Sequence, residues 1–308
     1  MTAALKSKHF GPPFDDLDAD IILRSCDKVD FLVYKAILSK ASPVFKSMFS
    51  LPQPGTDIKQ DSRFVIDAAE NSKVLAALLS AIYPDILGMA DPLSLNDLIS
   101  TLATADKYDM ATASRRLLVE FTNSKAFRDG PLEAFCAAHS RELGDVARIA
   151  AKESLKLRLT LNDIGAKLPF TNGPALYALW KYHRACSAAA IKATGCNFEW
   201  ITKAQIVSSC RAYKSCSCNS YRIVVGPDRA SFTVNLPWRN YLDRASDALR
   251  MHPCSEAVTQ AEILKPSYEA EMCDRCRMEI CNLSEFSRHL GEKVERLVSK
   301  VRGLLRPP

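Results

Sequence analysis

A chain of 308 residues that is 47% hydrophobic and 25% charged, with a net charge of +6, has the composition of a globular protein of one large or two moderate domains. With 8% aromatic residues and only 11 glycines it is not a low-complexity chain. The longest apolar run, around Val74 to Tyr83, is broken by Ser80 and far shorter than a membrane span, and MTAALKSKHF has no long apolar h-region. An intracellular protein, cytoplasmic or nuclear and without a membrane partner, is expected.

Residues 1–16, with Gly11-Pro12-Pro13 and the start of an acidic cluster, read as a flexible lead-in. Asp20-Ile21-Ile22-Leu23-Arg24 reads as a strand, Asp27-Lys28 as a turn and Val29 to Tyr34 as the returning strand of a hairpin. Lys35 to Lys40 is then a short helix. Ser42-Pro43 opens another, with Ser42 as cap and Pro43 in the first turn, where its missing N–H costs nothing. Arg63 to Asp67 is a third strand by its β-branched, apolar centre.

The pattern then turns helical. Asn71 or Ser72 caps a helix that carries Val74, Leu75, Leu78, Leu79 and Ile82 and stops at Tyr83 before Pro84. Ser94 with Asp97 resembles a capping box for a helix bearing Leu95, Leu98, Ile99, Leu102 and Ala105. Thr112 to Thr122 forms a further helix with Leu117, Leu118 and Phe121 inward. Strands gathered early and helices afterwards indicate an α+β unit of roughly 100 to 120 residues.

Four segments, DADIILRS, FLVYKAILSKASPVFKSMF, FVIDAAENSKVLAALLSAIYP and LISTLATADKYDM, in this order and spacing, resemble a BTB/POZ domain over residues 17–124. The likeness rests on Asp20, on the run Leu38, Ser42, Phe45, Met48 and Phe49, and on Ala105 to Tyr108. Tyr34 stands where the family usually has histidine. Pro84 to Pro92 lacks a strand between its two helices, which resembles the expanded BTB group of mushroom-forming (basidiomycete) fungi. The resemblance implies protein association, expected as a homodimer, through Ile37, Leu38, Val44, Phe45, Met48 and Phe49, some of them serving the core and some the partner. It also implies a substrate adaptor for a cullin-3 ubiquitin ligase, although the segment after Tyr83 lacks the hydrophobic-x-Glu contact that cullin-binding members often carry.

Gly130-Pro131 signals a boundary, and the rest divides into a helical extension, 125–192, and a cysteine-rich, mostly helical domain, 193–308. The helical reading covers Leu132 to Ser154, Leu161 to Ile164, Pro174 to Cys186 and Tyr241 to Met251. Ile223-Val224-Val225 is a short strand or a loop. Asn282 opens a final amphipathic helix, which either docks on its own domain or binds a partner. Residues 1–124 carry 13 Lys and Arg against 16 Asp and Glu, and residues 125–308 carry 28 against 19, so a slightly acidic front meets a basic back.

No catalytic set emerges: there is no phosphate-cradling glycine loop, no nucleophile elbow, and the five histidines are dispersed. A non-enzymatic protein is expected. Nine of the 11 cysteines lie from Cys186 onward, and the odd total without a secretory leader argues against a disulfide framework. Cys216, Cys218, Cys273 and Cys276 have ligand types suited to a structural zinc; the competing reading is small, buried, inert residues. The basic residues of the back half are dispersed rather than clustered, so nucleic acid is not the expected partner. The alternative to an interaction module is a nuclear transcription regulator with a zinc-stabilised basic C-terminal domain.

Overall fold

The computed structural model describes residues 8–51, 59–60, 63–83, 93–159, 173–195, 197–202, 220–225 and 230–301. The chain forms two compact units, Met1–Val146 and Ala147–Pro308.

The first unit is built on a mixed sheet of five strands: β1 (Lys8–His9), β2 (Ile21–Arg24), β3 (Val29–Val33), β4 (Lys59–Gln60) and β5 (Arg63–Asp67), in the order β1-β3-β2-β5-β4. β2 and β3 form the expected antiparallel hairpin, with Ile22 opposite Leu32 and Arg24 opposite Asp30. β5 runs parallel to β2, Val65 beside Ile22. Parallel neighbours need a long crossover, and here it contains α1 (Lys35–Ala41) and α2 (Pro43–Ser50). Ile21, Ile22 and Leu23 are all buried, so both faces of β2 are covered and its sequence is a continuous apolar run rather than an alternation. Ala19, Ile22, Leu32 and Val65 cluster on one face; alternation puts Ile21, Leu23, Phe31 and Val33 on the other.

Within the stretch read as a flexible lead-in, residues 8–16 are held against the sheet. β1 pairs parallel with β3, the Phe10 amide donates to the Asp30 carbonyl (3.0 Å), and the Leu32 amide donates to the Phe14 carbonyl (2.9 Å). Gly11 takes a left-handed φ of 89°, which lets the chain swing Phe10 and Phe14 onto the same ring, Phe31, at 4.6 and 5.7 Å between centroids. Phe14 is buried and meets Tyr83 edge-on. Aromatic burial of this kind outweighs the loop-forming tendency of Gly11-Pro12-Pro13.

Five helices complete the unit: α3 (Ser72–Ile82), α4 (Leu95–Lys107), α5 (Ala111–Asn123), α6 (Lys125–Asp129) and α7 (Pro131–Ser140). Asn71 caps α3 by accepting from the Val74 amide (3.0 Å), and Val74 through Leu79 are all buried, as befits a helix at the centre of a unit. The expected capping box of α4 forms: Ser94 accepts from the Asp97 amide and donates to the Asp97 carboxylate. Gly130-Pro131 starts α7, and the two compact units meet within α8 (Gly144–Ser154), at Val146/Ala147.

The second unit contains α9 (Gly173–Ala190) with a 3-10 turn (Ile191–Thr194), a three-stranded sheet of β6 (Asn197–Phe198), β7 (Ser220–Val225) and β8 (Ala230–Asn235), and then α10 (Leu236–Met251), α11 (Glu256–Thr259), α12 (Ala261–Tyr268), α13 (Asp274–Ile280) and α14 (Leu283–Val298). Ile223 to Val225 are therefore strand. Phe198, Trp200, Trp238, Tyr241 and Phe286 form one aromatic cluster, with Trp238 and Phe286 at 4.9 Å. Leu283, Phe286, Leu290, Val294 and Val298 of α14 are buried within their own unit, which resolves the two readings of that helix in favour of docking. A Cβ on Gly291 would meet Ser255 at 3.3 Å, so this glycine is what permits the close approach of α14 to the start of α11.

Candidate functional site

The helical pair α1–α2 is placed by three polar anchors. Asp20, at the foot of β2, accepts from the Lys35 amide (2.8 Å) and so caps α1 from a strand away; the preceding residue, Tyr34, makes no side-chain cap of its own. The Tyr34 amide donates to the Tyr83 hydroxyl (3.0 Å), and the Tyr34 hydroxyl donates to the Asp16 carboxylate. That hydrogen bond pushes the Tyr34 phenol up to about 12 and holds Asp16 below the ordinary carboxylate range. Tyr34 thus acts through its hydroxyl as a neutral donor at the start of α1.

Ser42 joins the two helices. Its amide donates to the Leu38 carbonyl at the end of α1, its hydroxyl accepts from the Phe45 amide (3.1 Å) at the start of α2, and the same hydroxyl donates to the Tyr108 carbonyl. Phe45 stacks on the Tyr108 ring at 4.8 Å. Glu70 holds the other end of Tyr108: its carboxylate accepts from the Tyr108 hydroxyl (3.2 Å) and from Lys107 (2.7 Å), while its carbonyl accepts from the Cys26 amide. The seven-residue α1 is therefore pinned to the core at both ends, and the eight-residue α2 at its start.

This framework divides the six expected association residues. Leu38 and Phe45 are buried core. Ile37, Met48 and Phe49 are half-buried, and Val44 is 38% exposed. Leu51, just past α2 and 66% exposed, continues the outward row of Val44 and Met48 at spacings of four and three. Sequence reasoning passed over Leu51, although that periodicity was visible. Lys35 sits over the Phe49 ring at 5.7 Å and over Phe64 at 4.9 Å, so a cation shields the half-buried rings. Helices α1 and α2 contain Lys35, Lys40 and Lys46 and no acidic residue. The surface is a short apolar ridge with a cationic margin, suited to docking rather than to chemistry.

The cysteine constellation is placed only in part. Cys276 is buried on α13 and Cys273 half-buried just before that helix; Cys216 and Cys218 lie outside the described residues, as do Leu161 to Ile164 and Pro84 to Pro92. Among the described residues, no group of three or more His, Cys, Asp and Glu is gathered as for a metal ion.

Ser154 and His183 lie 2.9 Å apart, but the pair is wrongly polarised for nucleophilic catalysis. The Ser154 proton is committed to the Ala151 carbonyl (2.7 Å), so Nε2 of His183 must donate to the hydroxyl rather than remove its proton. The hydroxyl is also fully buried. Among the described residues, no helix is long and apolar enough to cross a membrane.

The family model for the BTB/POZ domain matches residues 14–125, which begins at the buried Phe14 and ends just past Ser124, the cap of α6. A search of curated proteins finds no match. The chain therefore carries an N-terminal BTB/POZ domain, a protein-interaction domain rather than a known catalytic fold, followed by a largely helical C-terminal region.

Proposed function

We propose that this protein is a non-enzymatic scaffold that self-associates as a homodimer through the outer face of α1 and α2. The observation that carries this reading is the row Val44, Met48 and Leu51, flanked by Ile37 and Phe49. These apolar side chains are left partly open to solvent on two helices that are themselves rigidly anchored. Leu38 and Phe45 support the row from beneath and do not reach the partner.

Light scattering of the full chain at micromolar concentration tests the reading. The expected mass is twice that of one chain, falling to one chain in Val44→Asp/Met48→Asp with helical content unchanged. A wild-type protein of single-chain mass rejects it.

The finer assignment is a substrate adaptor for a cullin-3 ubiquitin ligase, supported by the BTB/POZ match alone. Co-purification with the cullin tests it, and failure leaves a scaffold. The short span between α3 and α4 supports placing the domain with the expanded BTB group of mushroom-forming fungi.

A further inference from the structure

The second unit holds 25 Lys and Arg against 15 Asp and Glu, and the sequence scatters them. Folding gathers three of the arginines. A cleft of about 450 Å³ is lined by Arg158 from the segment after α8, by Trp180 and Arg184 from α9, and by Arg250 and Met251 from the end of α10. Among the described residues, no carboxylate pairs with Arg158 or Arg184; Arg250 shares an exposed ion pair with Asp247 (2.9 Å). Arg184 is set on an aromatic rail. Its guanidinium lies 5.1 Å from the Trp180 ring, which stacks on Tyr177 at 6.2 Å. Stacking uses the face of a guanidinium and leaves its in-plane N–H donors for an anion, while it lowers the entropy that binding would otherwise cost.

Leu159, Ile191 and Met251 give the cleft apolar walls, and His183 lies at its buried side. Burial keeps that imidazole neutral, so the charge at the rim comes from the arginines, that of Arg250 being shared with Asp247. Arg158, Trp180, Arg184 and Met251 are all solvent-exposed, and the cleft opens on the surface.

We propose that this cleft recognises a phosphorylated side chain presented by a partner protein. A carboxylate has two acceptor oxygens and is satisfied by one guanidinium; three arginines lining one cleft, two of them without a carboxylate partner among the described residues, suit the three oxygens and double charge of a phosphate monoester. The apolar walls take the residues that flank it. A nucleic-acid backbone would call instead for cations spread along a track. The inference concerns the second unit alone and stands or falls independently of how the BTB/POZ unit associates.

Fluorescence anisotropy of the full chain with short labelled peptide pools, carrying a fixed phosphoserine or phosphotyrosine between randomised neutral residues, provides the test. The phosphorylated pools should bind at least about tenfold more tightly than the same pools without phosphate. Arg158→Glu/Arg184→Glu should abolish the difference, and Lys265→Glu, on α12, should leave it intact. Arg184→Lys keeps the charge but loses the stacked fork, and should weaken binding several-fold even if the double variant fails to fold. Equal binding of both pools, full binding by Arg184→Lys, orthophosphate competing as well as the peptide, or a single-stranded oligonucleotide binding more tightly would each overturn the proposal.

Discussion

The hydroxyl of Ser42 caps a helix and, through the same oxygen, donates to the carbonyl of Tyr108 at 2.5 Å, across 66 residues of sequence. The local turn between α1 and α2 is thereby tied to the end of α4. Ser42 is fully buried, so removing its oxygen leaves the Tyr108 carbonyl and the Phe45 amide without this partner. Loss of a cap costs about 1 kcal/mol, and a buried group deprived of its partner about 1–3 kcal/mol more. Ser42→Ala should therefore lower stability by about 2–4 kcal/mol in urea unfolding of the full chain. A change below about 1 kcal/mol would show that the link is incidental.

Arg24 and Asp30 face each other across the β2–β3 hairpin in a two-pronged ion pair of 2.6 and 2.9 Å, and the carboxylate side chain is wholly shielded from solvent. Asp30→Ala would take the two-pronged partner from the largely buried guanidinium, at a cost of about 3–5 kcal/mol. Glu292→Ala, which breaks the exposed Arg288–Glu292 pair, should cost under about 1 kcal/mol. The comparison is made by denaturant midpoints at constant salt, and similar losses for the two variants would contradict it.

His183 gives the second unit a defined acid response. Burial pushes its imidazole down from 6.5 to about 4. Between those values the unfolded chain takes up a proton that the folded chain refuses, so stability falls as pH drops from about 6.5 towards 4 and is unaffected by this group above that range. The full effect approaches about 3 kcal/mol, at 1.36 kcal/mol per unit. His183→Gln should flatten the slope of stability against pH in that window; an unchanged slope would show that other groups set it.

Zinc content bears on the cysteines. If Cys216 and Cys218 complete a tetrahedral site with Cys273 and Cys276, purified protein carries one metal per chain, and a strong chelator unfolds the second unit. Metal-free protein with an unchanged melting temperature in chelator would leave Cys276 as a buried core residue.

Local chemistry was legible in the sequence and long-range placement was not. The caps Asn71 and Ser94, Pro43 in the first turn of α2 and the stop at Tyr83 before Pro84 each follow from neighbouring residues. The β2–β3 hairpin follows from apolar period, which also announced α14 as an amphipathic helix but did not decide whether its apolar face docks. Gly11-Pro12-Pro13 misled because its loop chemistry is real, yet Phe10 and Phe14 on either side find Phe31, which no local pattern announces. Gly130-Pro131 likewise has the chemistry of a break but serves as the start of α7. Within the association surface, apolar character alone did not separate Phe45 from Val44. One side chain faces Tyr108 and the other solvent, a difference set by one step of helical rotation.

The parallel pairing of β5 with β2 also governs how the first unit can assemble during synthesis. The β2–β3 hairpin can close as soon as Val33 leaves the ribosome, but Ile22 must wait for Val65, so one edge of a largely apolar strand stays unpaired while α1 and α2 are being made. In that interval the edge is open to the nascent chain of a neighbouring ribosome on the same message. A translational pause before Arg63 leaves the ribosome should therefore raise aggregation more than one that falls after Asp67 has left it.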